Sequence, residues 1–164
     1  LQNHLDTTNL YLSSTLILDE TKTDNPKSIS PVIVFWILCF ITCIVTYISI
    51  KKNVKIKWFD IPLFSIVGIV GLIVAFMWAL SSHWCVKENL NILWANPIFL
   101  LLIFCPKKIN KYIIYTLLTC LFLALLNIII GIQHYNSAVL PVVISLIIRL
   151  SHLLYNERRT KRAA

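Results

Sequence analysis

The residues that could contact a substrate are concentrated in one short stretch, 81–97, which reads SSHWCVKENLNILWANP and lies between long apolar runs. Its imidazole, amide and indole groups can donate or accept hydrogen bonds. An unpaired amide in hydrocarbon costs several kcal/mol, so these groups must pair with one another or line a wet cavity. We therefore predict a substrate-binding cluster formed by His83, Asn89, Asn91, Trp94 and Asn96.

The same stretch also has a purely structural interpretation. Trp94 is typical of the aromatic belt at a membrane–water interface, and Asn89 and Asn91 are good caps for a following helix. Cys85 lies two residues from His83, but neighbours in sequence need not face each other, and a nucleophile requires a base within hydrogen-bond reach. The stretch therefore does not predict a catalytic dyad.

The positions of the acidic residues exclude several kinds of chemistry. All seven lie outside the apolar runs, so carboxylate-coupled ion transport, intramembrane aspartyl proteolysis and carboxylate-held metals lack the buried acids that they need. The cysteines show no paired metal-ligand spacing, and no HExxH, GxSxG, Walker or dinucleotide-binding pattern occurs. We predict that this chain contains no catalytic residue, no metal site and no cofactor.

The composition places the chain in a bilayer. Of its 164 residues 58% are hydrophobic and only 13% are charged, and the mean hydropathy is +0.79. The excess of 15 Lys and Arg over 7 acids would indicate nucleic-acid binding in a soluble protein. In a membrane protein it more often marks cytoplasmic loops. We expect a membrane protein that does not bind nucleic acid.

Five apolar stretches predict the fold class, an all-α membrane protein built as a bundle of five transmembrane helices. The first opens with Pro31, whose missing N–H costs nothing at the first helical position. The second follows Asp60, a predicted helix cap, and carries Gly68 and Gly71, which allow close helix approach. The third is short and is interrupted by Pro97. The stretches are 31–50, 61–80, 90–105, 112–130 and 138–154.

The basic residues predict the orientation of the helices. Clusters of Lys and Arg follow the first, third and fifth stretches and would all face one side, the cytoplasm. The amino terminus then lies outside and the carboxyl terminus in the cytoplasm. Arg149 and His152 are expected to reach the cytoplasmic headgroups. An outside amino terminus before an odd number of spans also predicts an upstream export signal, and hence a longer protein.

The pattern S-x-H, followed by N-x-N-[IL]-L-W-x-N-P, resembles the membrane domain of Lnb-type lipoprotein N-acyltransferases of Gram-negative bacteria. The sequence KIKWFDIPLF at 55–64, the five helices and the outside amino terminus fit the same family. The resemblance covers 31 to about 155. It implies that the matching residues shape the site and do not carry the acyl group, and Cys85 is not expected in the family pattern. The matching residues are His83, Asn89, Asn91, Trp94, Asn96 and Pro97.

The resemblance implies an enzyme whose covalent chemistry lies outside this chain. In the family a periplasmic thiol-enzyme domain, similar to papain-like or NlpC/P60-type enzymes, precedes the helices and supplies a cysteine and a histidine. The implied reaction transfers an acyl group from a lipid to the α-amino group of a lipid-modified cysteine at the amino terminus of a lipoprotein. The implied partners are phospholipid, the lipoprotein acceptor and the missing amino-terminal periplasmic domain, and the implied location is the bacterial inner membrane.

The resemblance also divides the chain into three parts. Residues 1–30 are expected to be an extracytoplasmic tail or the end of the missing domain, 31–155 the five-helix membrane domain, and 156–164 a basic cytoplasmic tail. The membrane domain would hold the lipid donor and the lipoprotein acceptor at the outer leaflet. The alternative is a non-enzymatic membrane anchor or assembly module, and a transporter subunit has less support.

Cysteine labelling tests the predicted orientation. Single cysteines are placed in a cysteine-free background at Lys22, Lys55, Lys108, Tyr135 and Arg162. An impermeant maleimide added to intact cells should label positions 22 and 135, which are predicted to lie outside. It should leave positions 55, 108 and 162 unlabelled, because they are predicted to lie inside. Labelling of position 55 from the outside would contradict the orientation, because this position follows the first crossing.

Overall fold

A computed structural model describes residues 30–54, 56–80, 89–104 and 107–162, and every regular element within these ranges is a helix. Four of the helices are long and apolar enough to cross a membrane, which confirms the predicted helical membrane bundle. The α-helices are α1 (Pro31–Lys52), α2 (Lys57–Leu80), the short α3 (Leu101–Phe104), α4 (Lys107–Ile130) and α5 (Val139–Arg162).

The third predicted span is a shorter apolar segment, Leu90–Phe104, which is called the broken segment below. It consists of two 3₁₀ turns, Leu90–Leu93 and Pro97–Leu100, followed by α3. The break predicted at Pro97 is therefore confirmed. The segment differs from the other four predicted spans because it contains only one turn of α-helix.

All four long helices extend beyond the apolar runs that predicted them, α1 by the two residues Lys51 and Lys52. Helix α2 begins at Lys57, so Asp60 lies inside its first turn and is not its cap. Helix α4 begins at Lys107, and α5 continues to Arg162, so the basic residues assigned to a tail are helical up to that point. Lysine, arginine and glutamate are good helix formers, and a helix can project into the headgroups where hydropathy no longer detects it.

Two asparagines cap the 3₁₀ turns of the broken segment. The Oδ1 atom of Asn89 accepts a hydrogen bond from the Asn91 backbone N–H at 3.0 Å, and Asn96 Oδ1 accepts one from the Ile98 N–H at 3.0 Å. Asn96 has an extended backbone, with φ −105° and ψ 128°, as expected of a residue that precedes proline. The asparagines thus satisfy backbone donors that an unbroken helix would have paired within itself.

The glycines of α2 form the notch in which the broken segment lies. A Cβ atom on Gly71 would stand 2.6 Å from the carbonyl carbon of Asn96 and 2.6 Å from the nitrogen of Pro97. A Cβ atom on Gly68 would stand 2.6 Å from Cγ of Leu100. The predicted close approach is confirmed, and its partner is the broken segment. Because Gly71 lies just past the middle of α2, the break lies deep within the bundle.

Helix α5 is the centre of the bundle. It packs along α1 and along α4, whereas α2 packs mainly against the broken segment. Val143, Leu146 and Leu150 on α5 are fully buried, and the rings of Phe64 and Phe99 stack with centroids 5.6 Å apart. Large apolar side chains remain exposed on the outer faces of α1, α2 and α4, as expected where lipid surrounds a protein. Helices α1 and α2 are not in extensive contact.

Gly71→Ala should destabilise the bundle, although alanine is the better helix former by ~1 kcal/mol. The added Cβ would meet backbone atoms of the broken segment, which cannot rotate away, and such overpacking costs about 1–3 kcal/mol. Thermal unfolding in detergent, followed by circular dichroism, should give a lower melting temperature than the native chain.

Gly68→Ala is the comparison variant for this experiment. Its Cβ would first meet the side chain of Leu100, which can change rotamer, so its melting temperature should fall less. A melting temperature of Gly71→Ala equal to or above that of the native chain would contradict the close approach.

Candidate functional site

Polar side chains from three parts of the chain meet where the broken segment begins. The indole Nε1 of Trp94 donates to Asn91 Oδ1 at 2.7 Å, and the amide Nδ2 of Asn91 donates to Asn89 Oδ1 at 2.6 Å. Gln133 Nε2 donates to the same Asn89 oxygen at 3.4 Å. We call this network the amide cluster, and its members are Asn89, Asn91, Trp94, Asn127 and Gln133.

Gln133 connects the broken segment to the end of α4. Its Oε1 accepts a hydrogen bond from the Leu90 backbone N–H at 2.8 Å, and its own N–H donates to Asn127 Oδ1 at 3.2 Å. Neither Gln133 nor Asn127 belongs to the predicted substrate-binding cluster. Asn127 stands out as an amide near the end of the fourth apolar run, and Gln133 belongs to the polar turn that follows it. The partners of Gln133 in the broken segment are more than forty residues away in sequence, and spacing alone cannot reveal such contacts.

The structure brings three of the five predicted site residues together. Asn89, Asn91 and Trp94 belong to the amide cluster and are all half-buried. His83 lies outside the described residues. The capping role considered for Asn89 is confirmed, whereas Asn91 accepts a hydrogen bond from the indole of Trp94. Whether these side chains also bind a substrate stays a prediction.

Asn96 lies apart from the amide cluster and deeper in the bundle. It caps the second 3₁₀ turn through Oδ1, and its Nδ2 lies 3.9 Å from the Sγ atom of Cys120 in the middle of α4. A thiol is a weak acceptor, and within the described residues it is the one partner of this amide group. Asn96 thus keeps donor capacity for an ester or amide carbonyl.

Tyr135 is a second hydrogen-bond donor, and it is close in sequence to a member of the amide cluster. It follows Gln133 by two residues, and its buried hydroxyl has no hydrogen-bond partner among the described residues. Burial raises the pKa of Tyr135 above its ordinary value because desolvation penalises the phenolate. The side chain therefore stays a neutral hydrogen-bond donor at physiological pH.

A separate polar cluster is buried at the other end of the bundle. Arg149 on α5 is fully buried and makes a two-pronged ion pair with Asp60 on α2, from Nε to Oδ1 and from Nη2 to Oδ2, the latter at 3.0 Å. Its Nη1 donates to Thr46 Oγ1 on α1 at 3.4 Å. The guanidinium carbon lies 5.9 Å from the ring centre of Phe59. One arginine therefore joins three helices.

The expectation that Arg149 and His152 reach the headgroups is wrong, because both are buried. The prediction that every acid lies outside the spans is also wrong for Asp60, which is buried within α2. A bidentate ion pair satisfies both charges inside the protein, so the arginine need not extend into water. His152 lies beside this pair, with Nδ1 3.5 Å from Arg149 Nη1.

The cluster around Arg149 is not suited to holding a metal. Both carboxylate oxygens of Asp60 are occupied by the guanidinium, and the described residues contain no group of three or more His, Cys, Asp or Glu side chains that could ligate an ion. Its physical role is to connect helices.

Comparison with known proteins identifies one family. The Lnb transmembrane domain family matches residues 22–161, which include the broken segment and the four long helices except for Arg162 at the end of α5. No curated protein and no solved structure matches the chain.

Removing one partner of the buried ion pair should destabilise the bundle much more than removing both. Asp60→Leu leaves the Arg149 charge buried without a partner, and such a loss costs about 3–5 kcal/mol. In Asp60→Leu with Arg149→Met both charges are replaced by apolar groups, so stability should largely return. The melting temperatures of the two single variants and the double variant measure this coupling.

Arg159→Gln serves as the control, because this exposed arginine on the same helix should contribute little. A double variant that is as unstable as the sum of the single variants would contradict a coupled pair.

Proposed function

Because the chain belongs to the Lnb transmembrane domain family, we propose that it is the membrane-embedded part of a bacterial lipoprotein N-acyltransferase. The observation that carries the proposal is the broken segment, whose non-α backbone lies within a helical bundle. Irregular backbone at membrane depth is tolerated where it is buried in protein or lines a cavity. In a family of enzymes that act on lipids, such a segment can line the site that holds the lipid.

The proposed role is to position two membrane-bound substrates beside a thiol-enzyme domain outside the membrane. In the reaction proposed, a cysteine thiol attacks the ester of a lipid, so that a thioester forms and the lipid leaves as its lyso alcohol. The α-amino nitrogen of the lipoprotein then attacks the thioester, which forms an amide and releases the thiol. This chain would make or break no covalent bond. Its contribution is proximity, which can supply a large part of a rate enhancement.

The distribution of charge supports placing the amide cluster on the periplasmic side of the inner membrane. Helix α1 ends at Lys51 and Lys52, α4 begins at Lys107, and α5 ends in basic residues. Gln133 follows the opposite end of α4. By the positive-inside rule the basic ends face the cytoplasm, and the amide cluster then faces the leaflet in which the lipoprotein acceptor is anchored.

The packing of the helices supports lateral entry of lipid. Helix α1 packs along α5, α2 packs against the broken segment, and the two helices are not in extensive contact with each other. Exposed aromatic side chains face outward from both, including Phe40 and Phe76. We propose that lipid approaches the broken segment between these helices.

A cap-preserving substitution separates substrate binding from helix capping at Asn96. Serine caps helices about as well as asparagine, but it lacks the amide N–H₂ group. In the intact protein, Asn96→Ser should keep normal abundance and lose lipoprotein N-acylation, measured by mass spectrometry of a lipoprotein's amino-terminal peptide. Asn96→Ala should lose the same activity and also about 1 kcal/mol of stability.

His83→Ala and Asn91→Ala should also reduce N-acylation at near-normal abundance. Normal activity per folded molecule in all of these variants would reject the site and leave capping as the role of the asparagines.

Replacing the five apolar segments by one unrelated span separates a site from an anchor, because an anchor alone should keep full activity after this exchange.

A further inference from the structure

A shallow groove runs along the membrane-facing side of α4 and α5. It has a volume of about 360 Å³ and is lined mainly by apolar surface. Leu118 and Ile147 form its half-buried floor, while Tyr115 and Phe122 stand exposed at its two ends on α4. Together with Thr119, these residues make up its lining. The groove is thus open to lipid along its length.

One end of the groove carries a positive charge. The exposed side chain of Arg158 donates from Nη2 to the Tyr115 hydroxyl at 2.6 Å, and its guanidinium carbon lies 6.0 Å from the centre of the same ring. A guanidinium has five N–H donors, so most of them remain available for an anion. Lys111 lies one turn before Tyr115 on α4, but its Nζ stands 5.1 Å from the centre of the Tyr112 ring, so Arg158 is the cation assigned to this end of the groove.

The groove follows the direction of an acyl chain in the bilayer. Ile147, Ser151, Tyr155 and Arg158 recur at helical spacing, so they share one face of α5. Tyr115, Thr119 and Phe122 share the facing side of α4. A lipid chain that lies parallel to these helices would therefore place its headgroup at Arg158.

We propose that this groove binds one anionic phospholipid, with its phosphate at Arg158 and an acyl chain along Tyr115, Leu118 and Phe122. Basic pockets between helices on the cytoplasmic side are typical sites for acidic headgroups. A second copy of the chain fits less well, because a symmetric contact would bring two Arg158 side chains together. The acidic residue at the Arg158 end of the groove is Glu157. Its side chain is half-buried, whereas the side chain of Arg158 is exposed and can meet a phosphate.

The lipid site is distinct from the proposed acyl-transfer site. It lies toward the basic end of α4 and α5, whereas the amide cluster lies beyond the opposite end of α4. Its lipid would be a bound partner of the bundle and would not react. The test below therefore measures binding alone and does not depend on acyl transfer.

Native mass spectrometry of the full chain in an uncharged detergent can measure this binding. Phosphatidylglycerol should bind more tightly than phosphatidylcholine. Arg158→Gln should weaken phosphatidylglycerol binding roughly fivefold, which corresponds to the ~1 kcal/mol expected for one basic side chain at an anionic membrane surface. Binding of phosphatidylcholine should not change.

Arg159→Gln is the matched control, since this neighbouring exposed arginine points to Asn53, to which its Nη1 donates at 2.9 Å. It should leave phosphatidylglycerol binding nearly unchanged. Equal losses in the two arginine variants would show diffuse surface charge and overturn the site, as would equal affinity of the native chain for the two lipids.

Thr119→Trp tests the apolar part of the groove without changing its charge. Thr119 is exposed, so the indole should fill the groove without disturbing the core, and it should weaken the binding of phosphatidylglycerol. Circular dichroism of each variant checks that the helices remain. A folded Thr119→Trp variant with native affinity would overturn the placement of the acyl chain in the groove.

Discussion

The ion pair between Asp60 and Arg149 is the interaction on which the arrangement of the helices depends. Helices α2 and α5 are not in extensive backbone contact, yet the guanidinium of α5 holds the carboxylate of α2 and also reaches Thr46 on α1. Neither charge could remain buried alone, because the free-energy cost of desolvating an unpaired ion exceeds the stabilisation gained from packing. The pair therefore fixes how α2 stands against the other helices, and α2 in turn carries the glycine notch that receives the broken segment.

The same requirement, that polar groups in hydrocarbon need partners, explains the other end of the bundle. A break at Pro97 exposes backbone donors, and Asn89 and Asn96 satisfy them as caps. Gln133 then ties this segment to the end of α4. The result is a half-buried polar surface at the start of the broken segment, and the Asn96 amide, which lies apart from it, keeps unused donor capacity.

Local features of the sequence predicted much of this fold, because each acts through its immediate neighbours. Apolar runs marked the long helices, Pro97 marked the break, and Gly68 and Gly71 marked a close approach. The sequence pattern could not reveal that Arg149 is buried, since its partner lies 89 residues away and a basic residue near a helix end equally predicts contact with headgroups. The sequence signal for this ion pair was Asp60 in the first turn of one span, together with Arg149 near the end of another span on the same predicted side of the membrane. Gln133 was recognisable as a polar residue of the turn after the fourth apolar run, but its contacts were not, because its partners are distant in sequence.

Photocrosslinking from the broken segment tests most directly whether this segment contacts a substrate. In the intact protein, a photoreactive residue at Ile92, which is half-buried beside the amide cluster, should capture a diacylated lipoprotein. The same residue at Ile66, which is exposed on the outer face of α2, should capture phospholipid and no lipoprotein. Equal lipoprotein capture from both positions, or none from Ile92, would contradict the account.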